Sequence, residues 1–182
     1  ARACRGEPGA FKRNEDRRDC ACQPEEKTIL ERLHERQVDV YAVGKIEDIF
    51  AHRGITHTDH TGNNQASQRA VERYAADMKS GFLFANFIDF DMLYGHRRDA
   101  PGYADCLVQT DAWLKTFLPK LGPDDLLILT ADHGNDPTYK GTDHTREIVP
   151  LLAYRPGQPG KSLGLRNGFY DIAQTIAHCF GI

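Results

Sequence analysis

The run Phe82-Leu-Phe-Ala-Asn-Phe-Ile88 constrains this chain more than any other feature. It is almost continuously apolar, so both of its faces must be covered, as in a strand of a parallel sheet packed between helices. Its surroundings agree. Upstream, Ala66, Ala70, Val71, Tyr74, Ala75 and Met78 recur at helical spacing until Gly81. Downstream, Pro101 stands where a helix begins, and Tyr103, Leu107, Ala112, Trp113, Phe117 and Leu118 give that helix an apolar face.

The same alternation holds elsewhere. Thr28 is placed to cap a helix through Ile29, Leu30 and Leu33, which feeds a strand over residues 38–43. A short helix at 46–50 and a polar loop over 52–64 follow. Strands are expected at 126–130 and 148–154, and a helix at 169–180 closes the chain. Helices alternating with strands predict an α/β fold, a mostly parallel sheet with helices on both faces, in which ligands gather beyond the carboxyl ends of the strands.

With 182 residues, 40% hydrophobic and 27% charged, the chain can bury a core and lacks the bias of disorder. Its net charge of −3 provides no broad field toward nucleic acid or a membrane surface, so an anionic substrate has to be captured locally. No apolar run is long enough to span a bilayer and no secretory signal pattern opens the chain, which points to the cytoplasm. Cys4, Cys20, Cys22, Cys106 and Cys179 lack the spacing of a zinc or redox motif and read as reduced thiols.

Three segments carry chemistry, and each follows a strand or lies between strands. They are Asp89-Phe-Asp91-Met-Leu-Tyr-Gly-His96, Thr130-Ala-Asp132-His133-Gly-Asn135 and Gly141-Thr-Asp-His144-Thr-Arg-Glu147. Taken singly, either acid of the first motif reads equally as a turn cap, and His96 or His144 as a surface or core residue. Jointly they read as a metal site, because clustered carboxylates repel unless a cation neutralises them, and imidazole with carboxylate suits zinc, manganese or iron. Two divalent ions held side by side are a common device for phosphoryl chemistry. His34, His52, His57, His60 and His178 have no comparable setting.

These motifs, with Val43-Gly-Lys-Ile-Glu-Asp-Ile-Phe50, Gly95-His-Arg-Arg-Asp99 and Arg5-Gly-Glu-Pro-Gly-Ala-Phe-Lys-Arg13, resemble the phosphopentomutase family of the alkaline phosphatase superfamily. The resemblance runs over essentially the whole chain. It implies an alkaline-phosphatase-like core, here incomplete at its N-terminus, with residues 1–21 as the end of a cap domain and 22–182 as the C-terminal part of the metal-binding core. It also implies interconversion of (deoxy)ribose 1-phosphate and 5-phosphate through a phosphothreonine and two Mn2+ ions, zinc being an alternative. Carried over by motif, Asp91, His96 and His144 hold one ion, and Asp132 and His133 contribute to the other. Lys45 and Arg13 are candidates for substrate phosphate.

The family's phosphate-carrying threonine and a further aspartate ligand have no match here, and Thr56, Thr58 and Thr61 lie outside the corresponding motif. Tyr139-Lys140 departs from the family's aromatic-proline pair, and Cys4, Cys20 and Cys22 depart from its cap. The chain alone is therefore expected to be inactive as a mutase. Two further readings stand beside this one: a phosphate or sulfate ester hydrolase using the same metals, and a non-catalytic metal-binding domain. A core lacking its N-terminal segment is expected to leave apolar surface open to self-association.

Overall fold

A computed structural model of the chain describes residues 4, 5, 7, 10, 12, 13 and 22–182. Two short strands, β1 (Cys4–Arg5) and β2 (Lys12–Arg13), form an antiparallel pair within what reads in sequence as a plain connection. The side chain of Arg13 lies outside the described residues.

Helix α1 (Ile29–Glu35) begins at a capping box. The Thr28 side chain accepts the Glu31 amide, and the Glu31 carboxylate accepts the Thr28 amide at 2.9 Å, so two otherwise orphaned donors are satisfied. Those bonds hold the Glu31 carboxyl below the usual carboxylate range. Strand β3 (Val40–Val43) follows, then α2 (Ile46–Ile49), β4 (His57–Asp59), α3 (Asn64–Asp77) and β5 (Phe82–Ala85). The three strands form a parallel sheet in the order β4-β3-β5.

The periodicity of β5 shows how the sheet is covered. Phe82 and Phe84 pack toward Leu30, Leu33, Val40 and Ile176, whereas Leu83 and Ala85 pack toward Val43, Ala70, Val71 and Phe117. One face is thus covered by α1 and the closing helix α5 (Tyr170–Phe180), the other by α3 and α4 (Ala100–Phe117). Leu30, Leu33, Val40 and Val43 are fully buried, and truncating a leucine in such a place costs about 2–5 kcal/mol.

Strands β6 (Leu127–Thr130) and β7 (Leu151–Tyr154) pair antiparallel with each other. They form a sheet apart from the parallel one among the described residues. Their cover is thin, with Leu152 61% exposed, and the strand expected from 148 begins only at Leu151, Ile148 before it being 81% exposed.

Further local expectations change. The 52–64 loop contains β4, an exposed edge strand whose His-Thr-Asp sequence carries no apolar alternation because neither face enters the core. The strand after Gly81 stops at Ala85 rather than 88, since the chain turns so that the Asp89 amide can donate to the side chain of Asn64. On α4 the buried side chains are Cys106 and Phe117, while Leu107 and Ala112 face outward because the helix meets the sheet along a narrower stripe. Among the described residues, no helix is long and apolar enough to cross a membrane.

Candidate metal centre

The first motif does not continue β5 but winds into a π-helical turn, Phe90–Gly95. Widening a helical turn from four residues to five places side chains five apart on one side, and such turns cluster at functional sites. The amide of His96 donates to the Asp91 carbonyl at 3.0 Å, which closes the turn. His96 Nε2 then stands 3.4 Å from Asp91 Oδ2.

Asp89 and Asp91 separate cleanly here. Asp89 accepts the backbone amide of Asn64 at 2.8 Å and its own amide donates to the Asn64 side chain, so it ties the first turn of α3 to the loop. It also borders a polar cavity of about 390 Å³ together with Tyr94, Cys106 and Gln109. Burial pushes the Tyr94 hydroxyl and the Cys106 thiol up from their ordinary values. Asp91 points the other way, toward the histidines.

The third motif arrives from the loop between β6 and β7. His144 Nε2 lies 3.3 Å from Asp91 Oδ1 and 3.2 Å from His96 Nε2. Among the described residues, Asp91, His96 and His144 are a set whose ligand atoms all lie within 4.8 Å of one another. His96 Nδ1 is 2.7 Å from the Thr142 carbonyl, which can only accept, so Nδ1 carries the hydrogen. In the neutral ring that leaves the Nε2 lone pair facing Asp91 and His144, the arrangement a metal-bound histidine uses. One carboxylate and two imidazole nitrogens so gathered fit a divalent first-row cation.

The second motif is drawn in less completely. The ring of His133 stacks on that of His144 with centroids 3.6 Å apart, so it borders the trio. Asp132 is largely exposed at its carboxylate and, among the described residues, meets the adjacent His133 Nε2 at 3.6 Å. Lys45, following β3, brings Nζ to 3.5 Å from the Met92 sulfur, beside Asp91. The sequence-derived residues other than Arg13 therefore fall in one neighbourhood, with Asp91, His96 and His144 in mutual contact.

Sequence reasoning did not single out the polar frame around them. Asn135 is buried, donates to Asp91 Oδ1 at 2.6 Å and receives a hydrogen bond from Arg98. A Cβ on Gly95 would run into the Asn135 side chain, so glycine is required for that approach. Thr145 joins the second and third motifs, its amide donating to the Gly134 carbonyl and its hydroxyl accepting the Asp136 amide. Hydrogen bonds from the Thr138 hydroxyl and amide, helped by the charge of Arg98, hold the Asp136 carboxyl below its usual range. The signal available in sequence was position: Asn135 closes the second motif, and Arg98 stands two residues beyond the first.

Known proteins give an independent view. Over 183 aligned residues the chain is 50% identical to a curated phosphopentomutase of Caldanaerobacter subterraneus subsp. tengcongensis, covering 100% of this chain and 47% of that protein. The chain thus spans about half the length of that relative. The solved structure of the PH0037 protein from Pyrococcus horikoshii matches 69% of this chain and 40% of its own, with a TM-score of 0.56 at 18% identity, a likeness of fold. Residues 8–182 match the family model described as the Metalloenzyme superfamily. By that match, and with a carboxylate-histidine cluster beyond the ends of its strands, the chain belongs to the Metalloenzyme superfamily.

Proposed function

We propose that this chain carries most of the metal centre of a phosphopentomutase, an enzyme that interconverts (deoxy)ribose 1-phosphate and (deoxy)ribose 5-phosphate. The observation that carries the reading is the gathering of Asp91, His96 and His144, within a chain half identical to a curated phosphopentomutase. A pair of divalent ions, Mn2+ by the family resemblance, would neutralise phosphate oxygens and lower the barrier to phosphoryl transfer.

The chain's own residues have distinct tasks. Asp91, His96 and His144 hold one ion. Asp132 and His133 contribute to the second, the Asp132 carboxylate standing exposed beside His133. Lys45 supplies a positive charge beside Asp91 for a phosphate, and Arg13 a planar guanidinium suited to the same group. The phosphate-carrying threonine that the resemblance implies matches none of this chain's motifs, so the 182-residue chain by itself is expected to bind metal without turning over sugar phosphates.

A coupled assay for conversion of ribose 1-phosphate to ribose 5-phosphate tests this. In protein of the relatives' length, activity should require Mn2+ and fall at least a hundredfold on His144→Ala. Turnover by the 182-residue chain above its own His144→Ala control would overturn the expected division of labour. The second reading, an ester hydrolase with water in place of threonine, is favoured by the superfamily-wide scope of the match over residues 8–182. Metal-dependent release from aryl phosphates without mutase activity at the relatives' length would establish it in place of the first.

A further inference from the structure

We infer that Arg98 is the positioning residue of the metal centre, latching the loop that carries His144 onto the turn that carries Asp91 and His96. The inference rests on reading those three residues as metal ligands. It starts from one side chain with four acceptors, all on the 135–143 segment. Nε of Arg98 donates to the Gly141 carbonyl, and Nη2 donates to the Asp143 carbonyl at 2.9 Å. Nη1 donates to the Asn135 side-chain oxygen at 3.1 Å and to the Asp136 carbonyl at 2.6 Å.

These acceptors are the immediate neighbours of the ligands. Asp143 directly precedes His144. Gly141 directly precedes Thr142, whose carbonyl orients His96 through Nδ1. Asn135 holds the Asp91 carboxylate. Each of the three ligands is thus fixed through one intermediary that Arg98 or its loop contacts hold in place. A guanidinium presents five N–H groups in a rigid fork and can reach four acceptors in fixed directions, whereas an ammonium offers three rotatable donors on a flexible stem.

The backbone gives a second line of argument. Arg98 has φ +57, a left-handed conformation that disfavours every residue with a Cβ and suits glycine. Local conformation alone therefore argues for glycine at 98, and the side chain is what an arginine adds. The ligands lie on elements of unequal burial, and this contact joins them with hydrogen bonds where the core does not reach.

The substitution Arg98→Gly separates the two effects, because it removes the guanidinium while easing the backbone. Mn2+ binding to the 182-residue chain would be followed by the electron paramagnetic resonance of the free ion, with urea unfolding of the metal-free protein in parallel. The expected result is a cooperatively folded variant that binds Mn2+ about 10- to 100-fold more weakly. Pulsed spectra of the bound ion should show the loss of one histidine nitrogen coupling, a signature that a merely structural residue would not move. Should Arg98→Gly not fold, Arg98→Lys is read in the same way, since it keeps the charge and loses the fork. Affinity within threefold of the unsubstituted chain, or a loss that only tracks the unfolded fraction, would overturn the inference. If the unsubstituted chain binds no Mn2+, the metal-centre reading fails first and the latch falls with it.

Discussion

The parallel β4-β3-β5 layer and the antiparallel β6-β7 pair solve the same problem of apolar strands in different degrees. Around β3 the side chains of Leu30, Leu33, Val40 and Val43 are shut away from water by helices on both faces. On β7, Leu152 and Tyr154 remain substantially exposed, and the groove beside them is lined by Leu114 of α4 and by Leu118 just after it. The candidate metal centre straddles the two. Asp91 and His96 ride on a turn anchored to the well-packed layer, whereas Asp132, His133 and His144 sit on loops of the thinly covered pair. Burial thus anchors Asp91 and His96, while polar contacts bring His144 to them from the less buried side.

The contrast can be broken most directly with matched truncations. Leu33→Ala should lower the free energy of unfolding by about 2–5 kcal/mol, while Leu152→Ala, the same chemical change on an exposed strand, should move it by about 0.5 kcal/mol or less. Urea melts of the two variants would measure this, and equal losses would erase the distinction. Gly44 offers a sharper probe of the corner where β3 meets β5. With φ +79 and the Asn86 carbonyl 2.7 Å from where a Cβ would be, Gly44→Ala is expected to cost about 1–3 kcal/mol in the same assay.

Smaller effects refine the picture within the packed layer. Thr28→Ala removes the α1 cap and should cost about 1 kcal/mol by thermal unfolding, with Thr28→Ser retaining most of it. Glu47, on α2, tests the charges at the strand ends. Burial pushes its carboxyl up, but hydrogen bonds from His52 and Thr58, with the nearby His60, outweigh that and leave it below the usual glutamate range. A carboxyl with a depressed folded value stabilises above its unfolded range and loses that contribution as pH falls through the folded value. Glu47→Gln should therefore lower stability at pH 7 by less than about 1 kcal/mol, and the difference should shrink as pH falls through the acid range. A difference that persists undiminished in acid would assign the effect to packing instead.

Much of this was legible in the residues, and the reasons are local. The Thr28 and Glu31 pair announces a capping box because both partners lie within four residues, and Pro101 marks the start of α4 for the same kind of reason. The motifs that supply the candidate cluster stood out because acid and imidazole recur next to strands. What sequence did not reveal depends on distant partners. Strand β4 exists because β3 supplies its hydrogen bonds, not because of its own pattern. The π-helical turn that turns Asp91 and His96 to one side has no side-chain signature, and Leu107 looks buried until the path of α4 over the sheet is known. Arg98 reads as one more surface charge until the loop forty residues on folds back over it.

The central claim is that Asp91, His96 and His144 together grip a divalent cation. Crystals of the 182-residue chain grown with Mn2+ and measured near the manganese absorption edge address it directly. An anomalous peak is expected within bonding distance of the Asp91 carboxylate and of Nε2 on both histidines. A map with no peak there, or with manganese only at unrelated surface carboxylates, would contradict it.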